Sequence, residues 1–171
     1  IEIEIFGPTK VGIIGLNGIG KTTLLKYIYR ELKGRDDIKV GYMPQDYSEV
    51  LEDDVVVLDY LVNDLKEMDM DKIAAYVGRI KLNWEEMNGH IGDLSLGQKA
   101  KLILLKMLIE QKDVLLLDEP TRNISAISNP IIREILYAFN GCIINLPILS
   151  IFLLLQSIRP YELTKRGLIR L

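Results

Sequence analysis

An α/β domain with a parallel-sheet core and an inserted acidic helical segment is predicted by three features of this 171-residue chain. Short apolar runs alternate with helical patterns, the arrangement of strands covered by helices on both faces. The run at residues 114–117 is apolar throughout, as a strand buried on both faces requires. The run at residues 11–14 feeds straight into a glycine-rich loop and then a helical pattern.

Each element follows in order. Residues 1–6 alternate apolar and acidic, the period of a half-buried strand, and Gly7-Pro8 turns the chain. Residues 22–32 place Leu24, Leu25, Ile28 and Leu32 on one helical face, closed by Gly34 and Arg35. Residues 38–43 form the next strand and end at Pro44. Asp53 or Asp54 is expected to cap a helix running to about Lys66, and Asp69 or Asp71 a second. A third helix is expected from Gln98 to about Glu110. Ser128 is placed to cap a helix over residues 130–139, with Pro130 in its first turn. Residues 141–146 read as a buried strand, and 162–171, with Gly167 at the centre, as a terminal hairpin.

Composition bounds the function. A chain that is 49% hydrophobic and 26% charged can bury a real core. The net charge of −3 makes no general case for nucleic acid or an anionic membrane. Between Asp46 and His90, however, 12 acidic residues face 4 basic ones, a local charge of −8 that marks an inserted subdomain. Cys142 is the single cysteine, so no internal disulfide forms, which fits a reducing cytoplasm. No signal-peptide pattern opens the sequence. The charge-free stretch 142–158 is shorter than the roughly 20 residues of a membrane span and is broken by Asn145, Pro147 and Ser150.

The strongest chemical signal is Gly15-Leu16-Asn17-Gly18-Ile19-Gly20-Lys21-Thr22-Thr23, between a strand and a helix. This is the Walker A pattern of a P-loop. Glycines let successive backbone N–H groups of Asn17, Gly18, Ile19, Gly20, Lys21, Thr22 and Thr23 converge on one anion. The helix adds its positive end. Lys21 is expected to reach the β- and γ-phosphates and Thr22 to offer its hydroxyl to Mg2+. The second signal is the strand Val114-Leu115-Leu116-Leu117 delivering Asp118-Glu119-Pro120 to the carboxyl edge of the sheet, where open α/β folds bind ligands. There Asp118 stands near the metal shell and Glu119 is placed to orient or deprotonate an attacking water.

Three further segments carry a family likeness. Tyr42-Met43-Pro44-Gln45 ends a strand, Leu94-Ser95-Leu96-Gly97-Gln98 opens a helix, and the acidic strand follows it. In this order the sequence resembles the ABC ATPase family over about residues 11–139. The resemblance implies that Gln45 touches Mg2+ and the attacking water. It implies that Ser95, Gly97 and Gln98 form a signature loop addressing the γ-phosphate held by a partner cassette. Two cassettes in such proteins enclose two ATP molecules head to tail, so turnover needs a partner. The expected division is a core of residues 1–45 and 95–171 with a helical subdomain at 46–94. The family's adenine-stacking segment lies before this chain, so a fragment is expected.

Ile3-Glu4-Ile5-Phe6-Gly7-Pro8 and Lys10-Val11-Gly12-Ile13-Ile14-Gly15 resemble the second cassette of the soluble duplicated F subfamily, many of whose members act on the ribosome. The rival expectations are a cytoplasmic ATPase subunit of a membrane transporter and a nucleotide-binding switch with little turnover. Three departures from the family pattern favour the last. Leu96 stands where the signature has glycine, and Ser125 where the D-loop has aspartate. The switch histidine would fall near Pro147-Ile148, and neither residue can replace it. The one histidine, His90, precedes the signature and reads as an exposed loop residue. Residues 146–160 do not resemble the family.

Overall fold

The computed structural model describes residue 5 and residues 7–63, 77–78, 82–120, 129–146 and 158–171. Strand β1, Lys10–Ile14, leads through the glycine loop into helix α1, Lys21–Lys33. Leu25 is buried beneath α1 while Leu24, Ile28 and Leu32 pack partly buried beside it, as their spacing predicted. Arg30 and Lys33 sit in the last turn, where cations suit the negative helix end, and Gly34 is the C-cap. Strand β2 follows at Val40–Met43.

The insertion begins with a 3-10 turn at Tyr47–Glu49, capped by the Asp46 carboxylate accepting from the Ser48 amide at 3.0 Å. Helix α2 is Val57–Val62 and helix α3 is Trp84–Asn88. Neither Asp53 nor Asp54 caps α2, whose N-cap is Val56. A competing backbone pairing delays the helix. Gly92 donates to the Asp53 carbonyl, Ile91 to that of Val55, and Val57 to that of Gly89, with Val56 bridging His90. The Asp53 side chain instead meets Lys99 at 2.7 Å. Lys66, Asp69 and Asp71 lie outside the described residues; Val77 and Gly78 are helical.

After a second 3-10 turn at Ile91–Asp93, helix α4 runs from Leu96 to Ile109. It starts two residues earlier than expected because Ser95 is its cap. Ala100, Leu102, Ile103, Leu104, Leu105, Met107 and Ile109 are all buried, so α4 is a core helix, apolar nearly all round. Strand β3 is Val114–Asp118, helix α5 Asn129–Ala138 and strand β4 Cys142–Leu146. Ser128 lies outside the described residues. Strands β5, Ile158–Thr164, and β6, Gly167–Arg170, make the expected hairpin, though β5 begins before Glu162. The described part of the charge-free stretch is strand, and no described helix is long and apolar enough to cross a membrane.

The sheet order is β2-β3-β4-β1-β5-β6, parallel except for the last pair. Leu115, Leu116 and Leu117 are completely buried, as both-face coverage demands. Leu116 shares its face with Tyr42, Ile144 and Val11 and packs with Leu25 of α1. Leu115 and Leu117 share theirs with Met43, Ile143 and α4. The insertion joins that second core through Leu51, Val57, Leu61, Met87 and Ile91.

At Gly141 an added Cβ would lie 2.3 Å from the Asp113 carbonyl oxygen and 2.6 Å from the Phe139 ring. Gly141→Ala is therefore expected to lose about 2 kcal/mol of stability through overpacking. An unchanged urea midpoint would contradict this tight turn before β4.

Candidate functional site

The parallel register places the carboxyl ends of β1, β2 and β3 at one edge of the sheet. A cleft of about 570 Å³ opens there. Its walls bring together Asn17, Gly18, Gly20, Lys21, Thr22 and Thr23 from the glycine loop and Gln45 after β2. Asp118 and Glu119 enter from the end of β3 and Leu146 from the end of β4. Residues up to 129 positions apart, Asn17 and Leu146, thus meet because parallel strands all point one way. A larger cleft of about 750 Å³ lies at the opposite edge, where β3 and β4 begin; its lining is mainly apolar and lacks the glycine loop.

The loop owes its shape to glycine. Gly15, Gly18 and Gly20 have φ of 154°, 77° and 102°, backbone that other residues resist. Gly15 also passes so close to β5 that a Cβ would meet the Leu163 carbonyl oxygen at 2.7 Å. Gly20 is the N-cap of α1 and supplies no side-chain cap. The first-turn N–H groups of α1 consequently have no intrahelical acceptor and open onto the cleft. Lys21 Nζ donates to the carbonyls of Gly15 at 2.8 Å and Leu16 at 3.1 Å, which curls the side chain back over the loop.

Ile19 contributes differently from its neighbours. It does not line the cleft: its side chain packs against the core beneath α1, and its amide donates to the Leu16 carbonyl at 3.2 Å. Its role is to close the turn.

The acidic wall is electrostatically unusual. Asp118 is 2% exposed, and burial raises its pKa above the ordinary carboxylate value. A hydrogen bond with the Thr22 hydroxyl opposes that rise, and the neighbouring Glu119 charge adds to it. Asp118 Oδ2 is buried with no hydrogen-bond partner. A buried carboxylate oxygen without a donor beside a threonine hydroxyl is a hard-oxygen pair that fits Mg2+, which takes few protein ligands and keeps others from water and phosphate. Next to it, Glu119 sits at φ 49°, a left-handed conformation that costs a non-glycine residue about 1–2 kcal/mol. Its amide donates to the Leu146 carbonyl at 3.2 Å, and its Oε2 accepts from Gln45 Nε2 at 2.8 Å.

Ser95, Gly97 and Gln98 do not line this cleft; they form the exposed to half-buried start of α4. Ser95 Oγ accepts from the Gln98 amide at 3.3 Å, and Gln98 Oε1 accepts from the Ser95 amide at 2.8 Å, a reciprocal capping box. Leu96 is 55% exposed, so its side chain stands away from the protein interior. His90 is exposed, as expected, and bridges Val56. Ser125, Pro147 and Ile148 lie outside the described residues. One contributor escaped the sequence reading: Glu86, which accepts from the Gln98 side chain. The Asn83-x-x-Glu86 spacing is a capping-box signal that marked it.

Because the desolvated Asp118 charge opposes folding, its penalty is present above its raised pKa and is relieved as pH falls through that value. Asp118→Asn is expected to melt no lower than the parent at neutral pH without metal. A lower melting temperature without metal would contradict the desolvation argument.

The family model described as ABC transporter matches residues 1–122. Energy-dependent translational throttle protein EttA of Escherichia coli is 31% identical over 84% of this chain. ABC transporter F family member 2 of Arabidopsis thaliana is 30% identical over 79% of it. The chain spans 34% of the length of the first and 21% of the second. Among solved structures, a cobalt transport ATP-binding protein superposes with a TM-score of 0.75 at 28% identity, over 96% of this chain and 69% of that one. An ATP-binding subunit of an ABC transporter shares the fold with a TM-score of 0.74 at 17% identity, over 90% and 75% of the two chains. With its glycine loop, acidic strand and capped signature helix in that family's order, the chain belongs to the ABC transporter family of ATP-binding cassettes and is most like those of the F subfamily.

Proposed function

We propose that this chain binds Mg-ATP on the loop from Gly15 to Thr23 and hydrolyses it together with a partner cassette, driving a change of conformation. The observation that carries the reading is the uncapped N-terminus of α1 facing Asp118, Glu119 and Gln45 across one cleft. Backbone N–H groups of the loop would hold the phosphates. Lys21 would exchange the Gly15 and Leu16 carbonyls for the β- and γ-phosphates; its three donors allow this with a single swing of the side chain.

Thr22 and Asp118, with Gln45 beside them, would hold Mg2+, which supplies neutralisation of phosphate charge. Glu119 would take the proton of the water attacking the γ-phosphorus, and ADP would leave on the opposite side. Gln45, already bonded to Glu119, keeps that carboxylate turned into the cleft. Ser95, Gly97 and Gln98 would present the start of α4 to the γ-phosphate held by the partner. In this reading residues 1–45 and 95–171 are the core, 46–94 the helical subdomain.

The likeness to F-family cassettes, one of them named for throttling translation, supports a cytoplasmic protein whose whole-length partner is the ribosome. The likeness to a cobalt transport ATP-binding protein supports a second reading, the ATPase subunit of a membrane transporter. Leu96, in place of glycine at the signature, supports a third, a nucleotide-binding switch of low turnover.

Lys21→Ala should weaken Mg-ATP binding about 100-fold, the worth of two charge-assisted hydrogen bonds, as read by calorimetry. Retained micromolar affinity would show that the loop serves something else. Glu119→Gln should keep binding and lower any partner-dependent turnover by about 100-fold or more, because an amide accepts no proton. Undiminished phosphate release from that variant would exclude Glu119 as the base.

A further inference from the structure

Two capping boxes meet side chain to side chain at the start of α4. In the first, Asn83 Oδ1 accepts from the Glu86 amide at 2.8 Å, and Glu86 Oε2 accepts from the Asn83 amide at 2.7 Å. The second joins Ser95 and Gln98. Glu86 Oε1 accepts from Gln98 Nε2 and so links them. Gln98 Oε1 accepts from both the Ser95 amide, at 2.8 Å, and the Ser95 hydroxyl, at 2.7 Å.

This wiring decides what Ser95 can offer. A serine hydroxyl has one proton to give, and here Gln98 takes it. Toward solvent Ser95 therefore presents lone pairs, which suit an anion badly. For a phosphate oxygen to accept from Ser95, the hydroxyl must turn away from Gln98. Gln98 Oε1 is not orphaned by that turn, because the Ser95 amide still donates to it. Its other end stays on the half-buried Glu86 carboxylate, so the carboxamide cannot flip. A flip would set its NH2 against the Ser95 N–H, donor against donor. The hydroxyl is the one link in the chain that can switch without leaving a buried group unsatisfied.

We propose that Glu86 is a positioning residue for phosphate recognition: by holding Gln98 it fixes the acceptor from which the Ser95 hydroxyl turns to donate, and it ties the helical insertion to the start of α4. The proposal rests on the reading of Ser95 as a phosphate contact and deepens it. Movement of α3 relative to α4 would break the Glu86–Gln98 bond and release the signature turn. The insertion thereby acquires a polar lever on the γ-phosphate beyond its apolar packing on α4.

The test is an exchange of the two side chains in the full chain, assayed with Mg-ATP and its partner cassette. Gln98→Glu alone sets two carboxylates against each other and should lower kcat about tenfold or more, with nucleotide affinity at the glycine loop unchanged. Adding Glu86→Gln restores every hydrogen bond: the amide now on α3 donates to the carboxylate now on α4, which still accepts from Ser95. The double variant should regain turnover about fivefold or more over Gln98→Glu alone, short of the parent because a carboxylate now stands at the start of α4. Asn83→Ala, which uncaps α3 but spares the Glu86–Gln98 bond, should lower the melting temperature and leave kcat in place.

A double variant as impaired as Gln98→Glu alone would overturn the proposal, because Gln98 would then act directly. So would Asn83→Ala losing turnover in step with stability. If the parent itself does not turn over, the hydrolysis reading fails separately, and amide hydrogen exchange at Ser95 decides this one. Protection should fall in Gln98→Glu and return in the double variant; protection that never changes would overturn it.

Discussion

Everything at the site follows from backbone N–H groups left without acceptors. A helix leaves its first amides unpaired, and most proteins cap them with a side chain. Here Gly20 provides none, and Gly15 and Gly18 curl the chain so that the same end faces the cleft. The cost of those open donors is met only by an anion or by water. The carboxyl edge of a parallel sheet is where such a helix end falls when a strand feeds it directly. The β1–loop–α1 unit thus sets where an anion is best held, and the other strands bring polar side chains to that point.

That chemistry is held in a state of tension. Asp118 carries a carboxylate into burial with one oxygen unpartnered, and Glu119 occupies backbone usually left to glycine. Both features cost stability in the isolated chain and both point at the same cleft. Strain of this sort persists where surrounding structure over-determines it. The Leu146 carbonyl, which accepts the Glu119 amide, and Gln45, which holds its side chain, are that structure.

The described part of the acidic segment packs into the main core. Leu51, Leu61, Leu82 and Ile91 share a core with α4, and Glu86 reaches the start of the same helix. Apolar contacts tolerate small sliding, whereas a chain of hydrogen bonds from Asn83 to Ser95 is broken by displacement of about an ångström. The two kinds of contact divide the labour: one keeps the insertion attached, the other makes the signature turn sensitive to where it stands.

Local chemistry alone determined much of this. The glycine loop and the strand that ends in Asp118-Glu119 were legible because their residues are neighbours and their roles depend on backbone conformation and period. The fold class, the α1 helix and the terminal hairpin were legible for the same reason. What residues far apart do to one another was not. Asp53 and Asp54 looked like caps until the pairing of residues 53–57 with 89–92 took the backbone. Ile19 belonged to the loop by spacing, yet tertiary packing drew its side chain into the core. The Gln45–Glu119 bond spans 74 residues, and the Glu86–Gln98 bond joins two helices that no local pattern connects. Caps, turns and periodicity are short-range free energies and can be read along the chain. Which polar groups meet in three dimensions is decided by strand register and helix packing, which only the assembled structure supplies.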